Sequence, residues 1–132
     1  MMKQAQANDF DWPADRIAEF NGAWRNGRVG SHLVSENDRV RVWHLSLKPG
    51  ERIGFHMHVL DYFWSAVTSG KSRSHMHDGR IVKTEYAAGS TKHYKFGTNE
   101  FMIHDLENIG DTELVFVTVE HKQSDNKPLP LD

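Results

Sequence analysis

Hydrophobic and polar positions alternate along much of this chain in steps of two. In RVRVWHLSL, Val40, Val42, His44 and Ser46 share one face, and Arg41, Trp43, Leu45 and Leu47 share the other. That periodicity belongs to extended strands, where side chains at i and i+2 point the same way. The preceding run, VGSHLVS, meets it across the polar turn Glu36-Asn37-Asp38. Pro49-Gly50 ends the strand, IGFHMHV and YFWSAVTSG follow, and Asp78-Gly79 separates KSRSHMH from RIVKTEYAAG as a short-hairpin signal. Asn108-Ile109-Gly110-Asp111 forms a turn before TELVFVTVEH, whose apolar residues occupy both faces, as in a strand covered on both sides.

Helical spacing is confined to the beginning of the chain. Pro13 suits the first turn of a short helix running through Ile17 and Phe20, with Asp11 as its cap. Gly22, Gly27 and Gly30 stop it. No repeat of fixed period is present. Short strands separated by turns predict an all-β sandwich or barrel. The expected organisation is an N-terminal segment with the short helix (1–30), a barrel (31–121) and a loose polar tail (122–132).

The chain has 132 residues, which suits one domain with its own core. It contains no cysteine, which excludes disulfides, thiolate metal sites and thiol nucleophiles. There are 16 basic and 18 acidic residues, a balance that argues against a nucleic-acid partner. No apolar run approaches the ~20 residues of a membrane span, and the polar start MMKQAQANDF lacks the apolar stretch of a secretory signal. The expected location is the cytoplasm, with no membrane partner.

The 9 histidines shift attention to ligand chemistry. His56 and His58 stand one residue apart in an apolar strand. Two imidazoles on one strand face, with Cα atoms about 6.6 Å apart, can converge on one ion. Two ligands make a weak site, so a third must come from another strand.

Here the sequence resembles the cupin superfamily. Gly50, five residues, then His56-Met57-His58 matches the start of the first cupin motif, and Gly70 matches its end. Counting back from Gly70 puts Phe63 where the motif carries Glu. His104, three residues, then Asn108 matches the end of the second motif. Gly89 and Gly97 stand for its earlier glycines, Lys95 replaces its Pro, and four extra residues precede the histidine. The resemblance covers roughly residues 40–120. It implies a small RmlC-like double-stranded β-helix, or jelly-roll barrel, with the two motifs on facing strands and His56, His58 and His104 meeting inside. It further implies a mononuclear centre holding one divalent transition metal (Fe, Zn, Mn, Ni or Cu), used for dioxygenase, isomerase or lyase chemistry on a small organic metabolite, and a homodimer. A non-enzymatic binding or structural module with a degenerate metal site is the alternative, because Phe63 cannot ligate. Tyr62 and His93 are the candidates for proton transfer. Tyr62, or Asp61 through a bulge, could replace the missing ligand.

Other residues have ordinary readings. His75 and His77 flank a turn and are expected as solvated residues near a hairpin tip. His44 is expected as a buried or half-buried strand residue. The aromatics Tyr62, Phe63, Trp64, Phe96 and Phe101 read as core or interface, or as the wall of a cavity for a planar ligand. Asp105 and Glu107 read as a solvated strand face, or as groups that orient a ligand histidine. Asn108 reads as a turn residue.

Overall fold

The computed structural model describes residues 12–131. Helix α1 (Ala14–Gly22) runs into a 3₁₀ turn (Ala23–Arg25). Nine strands follow: β1 (His32–Glu36), β2 (Val40–Leu47), β3 (Arg52–His58), β4 (Tyr62–Ala66), β5 (Gly70–His75), β6 (Ile81–Tyr86), β7 (Thr91–Tyr94), β8 (Met102–Asn108) and β9 (Leu114–His121). Pro13 stands immediately before α1, where its fixed φ of −57° costs nothing. The expected Asp11 cap lies outside the described residues. No helix among the described residues is long and apolar enough to cross a membrane.

The pairing is nested. β5 pairs with β6, β4 with β7, β3 with β8 and β2 with β9, all antiparallel. The chain is thus doubled back at the β5–β6 connection and wound as one long ribbon. That connection contains Gly79 at φ +94°, a left-handed conformation that costs glycine little, and the Asp78 carboxylate accepts the Arg80 N–H. Winding the ribbon produces two sheets, β1-β2-β9-β4-β7 and β3-β8-β5-β6. This is a jelly roll, as the strand pattern and the motif spacing predict. The motif-bearing strands β3 and β8 are not opposed across the barrel, however. They are hydrogen-bonded neighbours in one sheet, and His56 and His104 are cross-strand partners.

Two apolar clusters hold the fold. Leu45, Leu47, Ala66, Tyr86, Leu106, Leu114 and Phe116 fill one end of the barrel interior. Phe20, Ala23, Phe55 and Ile103 pack outside the four-stranded sheet, where α1 covers it. Each large apolar side chain fully buried in this way contributes roughly 1.5–3 kcal/mol. Beside this outer cluster lies an ionic one. The Asp105 carboxylate, wholly buried, accepts Arg52 Nε at 2.8 Å and the His75 backbone N–H at 2.6 Å. Arg52 also donates both terminal nitrogens to Glu19 of α1, at 2.6 and 3.1 Å. The helix is therefore fastened to the sheet by a charge-assisted network as well as by apolar contact.

Four local expectations are corrected. His44 is exposed, because the interior face of β2 is the one carrying Trp43, Leu45 and Leu47. His75 and His77 are not solvated: His75 is half-buried against Asp105, and His77 is buried with Nδ1 accepting the Ile103 N–H at 3.0 Å. Asp105 belongs to the ionic cluster under α1 and not to a solvated face. Residues 122–131 do not trail away. Arg41 donates to the Leu129 carbonyl at 3.0 Å, Arg28 donates to that of Leu131 at 2.6 Å, and Asn126 donates to the Val59 and Gly97 carbonyls. Asn108 is the turn residue expected. It is buried, donates to the Leu47 and Thr112 carbonyls, and accepts the Gly110 N–H.

Candidate metal centre

A bulge in β3 builds the site. The pairing with β8 shifts register between Ile53 and His56. Ile53 packs inward on the barrel core, whereas Phe55, two residues on, packs outward under α1. The extra residue reverses the alternation, so that His56 and His58 face inward again. Glu19 supports the bulge: its carboxylate accepts the Phe55 N–H at 2.9 Å. Burial pushes Glu19 up, but the bonds from Arg52 and the Phe55 N–H outweigh this and hold it below the usual carboxylate range. The Gly54 carbonyl meets His56 Nδ1 at 2.8 Å. A carbonyl only accepts, so Nδ1 carries the proton and Nε2 is left with a free lone pair.

His104, on the inner face of β8, completes the group. One ring nitrogen from each of His56, His58 and His104 lies within 4.8 Å of the other two. His58 Nε2 and His104 Nε2 are 3.3 Å apart. Two nitrogens bound to one ion at ~2.0–2.1 Å, in tetrahedral geometry, would be separated by about 3.3 Å. His58 Nδ1 is buried and has no hydrogen-bond partner among the described residues. Burial pushes the His56 pKa down to about 4, against the opposing Gly54 hydrogen bond and the Asp105 charge. Burial, and then the neighbouring His56, holds His58 and His104 well below the ordinary value, with His104 adding to the effect on His58 and His77 to that on His104. The three rings are thus neutral at physiological pH, the form in which imidazole ligates. The donor set, its spacing and its protonation all fit a metal ion.

Tyr62 stands beside the cluster. Its ring stacks on His58 with centroids 4.1 Å apart and on Tyr94 at 4.7 Å. Burial pushes its hydroxyl pKa well above 10, with the Tyr94 and Glu120 charges adding to the effect. That shift keeps the hydroxyl protonated at physiological pH. Phe63, the residue that motif spacing aligned with the family's Glu, faces the other way, against His93 and His121. On strand β4 the inward position next to the histidines belongs to Tyr62. Asp61 is engaged elsewhere, accepting the Phe96 N–H at 2.8 Å. The structure does not bring His93 to the site: it is exposed on the outer face of β7.

The histidines open into a barrel cavity of about 340 Å³. Its walls are mainly aromatic and aliphatic, with Tyr62, Tyr94, Trp64, Tyr86 and Phe116 prominent. From β7 it is Lys92 and Tyr94 that enter the lining, one residue to either side of His93. Sequence reasoning missed Lys92 and also Arg80, which rims the cavity next to the Asp78-Gly79 turn. The alternation of β7 could have singled out Lys92, since any strand with Tyr94 inward must also turn Lys92 inward. On the inner face of β9, opposite Tyr62 in the β4–β9 register, Glu120 is buried with Oε1 accepting the Trp43 indole N–H at 2.8 Å. Burial raises its pKa to about 7, against the lowering effect of that bond and of Arg41.

No protein-family model matches this sequence, and no curated protein does. Solved structures do. A cupin domain from Bordetella pertussis is 30% identical, with a TM-score of 0.61 over 69% of this chain and 90% of that one. A protein with a double-stranded β-helix domain from Klebsiella pneumoniae is 18% identical, with a TM-score of 0.55 over 100% of this chain and 95% of that one. An RmlC-like cupin family protein from Methanocaldococcus jannaschii is 18% identical, with a TM-score of 0.53 over 66% and 73%. The last two are alike in fold only.

Proposed function

This chain belongs to the cupin superfamily, and on that premise we propose that it is a mononuclear metal-binding cupin acting on a small organic metabolite. The observation that carries the reading is the 3.3 Å approach of His58 Nε2 to His104 Nε2 inside a cluster of neutral imidazoles. His56, His58 and His104 are the proposed ligands of one divalent transition ion. When bound, such an ion supplies open positions at which a small molecule, alone or with dioxygen, is held and polarised.

The chain's own residues do the rest. Gly54 fixes the His56 tautomer through its carbonyl, and Glu19 fixes the bulge that aims the ring. Tyr62 stacks on the proposed ligand His58 and, remaining protonated, would be the group available to donate a proton or a hydrogen bond to a bound molecule. Aromatic and aliphatic side chains line most of the rest of the cavity. Dioxygenase, isomerase and lyase chemistry are all compatible with this arrangement.

Tyr62 also favours a second reading. It occupies the place beside the histidines where a carboxylate ligand would complete a four-residue set, and it brings no negative charge there. The missing carboxylate is the feature that supports a module binding a small molecule without transforming it. A thermal-shift series with Fe²⁺, Zn²⁺ and Mn²⁺ separates the two. Stabilisation by an ion, absent in His58→Ala, supports the metal centre. Stabilisation by organic ligands alone supports the binding module.

A further inference from the structure

We infer that the cavity selects an anionic ligand, a small planar carboxylate, and that Lys92 is the residue that reads its charge. The inference rests on the metal-site reading above but draws on a different wall of the barrel. Among the residues lining the cavity there are two permanent cations, Lys92 and Arg80, and no Asp or Glu. Arg80 is already matched: its Nε donates to Asp78 at 2.7 Å. Lys92 has no carboxylate partner among the described residues. Lys92 is solvent-exposed as well as part of the cavity lining, and its ammonium lies 5.1 Å from the centre of the Tyr94 ring. An ammonium on an aromatic face keeps its full charge and its donors.

The placement of Lys92 sets the size of the ligand. Lys92 pairs with Trp64 in the β4–β7 register, and Tyr94 pairs with Tyr62, which stacks on His58. Lys92 is therefore one inner-face step, about 6.6 Å, beyond the level of the tyrosines that abut the histidines. A molecule bridging that interval has its charged group at Lys92, a flat body along Tyr94 and Trp64, and its other end toward the histidines. The cavity, about 340 Å³, lies at the small end of the ~300–1,000 Å³ usual for ligand pockets, which suits a single ring or a conjugated chain.

The test is calorimetric titration of the full chain with benzoate and with its neutral isostere benzamide, in metal-free and Zn²⁺-loaded protein. Wild type, Lys92→Met and Lys92→Arg are compared. Benzoate is expected to bind about tenfold more tightly than benzamide in wild type, as a charge-assisted contact requires. Lys92→Met should erase that preference and Lys92→Arg should retain it, with Zn²⁺ stoichiometry the same in all three. Equal binding of benzoate and benzamide to wild type, binding of neither, or a preference that survives in Lys92→Met would each overturn the inference. Failure of Zn²⁺ to bind would count against the metal site alone, because the metal-free titrations still compare the two probes at Lys92.

Discussion

Glu120→Gln isolates the energetics of a buried, strongly perturbed carboxyl in the barrel. Glu120 is 3% exposed, and its Oε1 accepts the Trp43 indole N–H. Glutamine has nearly the same shape and keeps an oxygen for that bond, so the substitution removes little but the charge. Burial moves the carboxyl from an ordinary 4.5 to about 7 in the folded protein. Between those values the folded state binds the proton and the unfolded state releases it. Stability from this group is therefore fully present below pH 4.5 and is lost as the pH rises to 7. At about 1.4 kcal/mol per pH unit, the interval amounts to roughly 3 kcal/mol. The variant should match wild type at pH 4.5 and exceed it by about that amount at pH 8. Urea unfolding at a series of pH values measures both. Buried His56 acts in the opposite sense, weakening the fold as pH falls from 6.5 toward about 4, but it is common to both proteins and cancels in the difference. A difference that does not change between pH 4.5 and 8, or a variant less stable at pH 8, would refute the reasoning.

Other consequences concern the frame of the site. Asp105→Ala leaves Arg52 with Glu19 alone and deprives the His75 N–H of its acceptor, so unfolding free energy should fall by about 3 kcal/mol; a loss under about 1 kcal/mol in urea titration would show that the network does not hold α1 to the sheet. Gly30→Ala places a Cβ 2.7 Å from Trp43 Cβ, beneath a wholly buried indole, and should cost about 1–3 kcal/mol, read as a lower melting temperature. Gly22→Ala meets nothing within 4 Å at the end of α1 and should be neutral or stabilising by up to about 1 kcal/mol in the same assay.

How legible this was from the residues varies with the range of the interaction. The strands and the β5–β6 turn follow from local alternation and from Asp78-Gly79, and each is present. His56 and His58 follow from strand spacing, whereas His104 is found only through likeness to a family motif, because its pairing opposite His56 spans the chain. Counting failed where the backbone departs from regularity. The bulge between Ile53 and His56 leaves no mark in the hydrophobic pattern, since it is set by Glu19 from a distant helix. Phe63 matched the motif by number, yet the face of β4 that meets the histidines begins at Tyr62. His75, His77 and Asp105 look like solvated positions locally, yet His75 is half-buried against Trp12 and Asp105, and His77 and Asp105 are buried, with His77 bonded to Ile103.

The central claim is that three imidazoles form one metal centre. Equilibrium dialysis of untagged protein against Zn²⁺ and Mn²⁺, followed by elemental analysis, measures it directly. The account predicts about one ion per chain in wild type and almost none in His56→Ala, His58→Ala or His104→Ala, each still folded by circular dichroism. Equal metal content in wild type and in all three variants would contradict it.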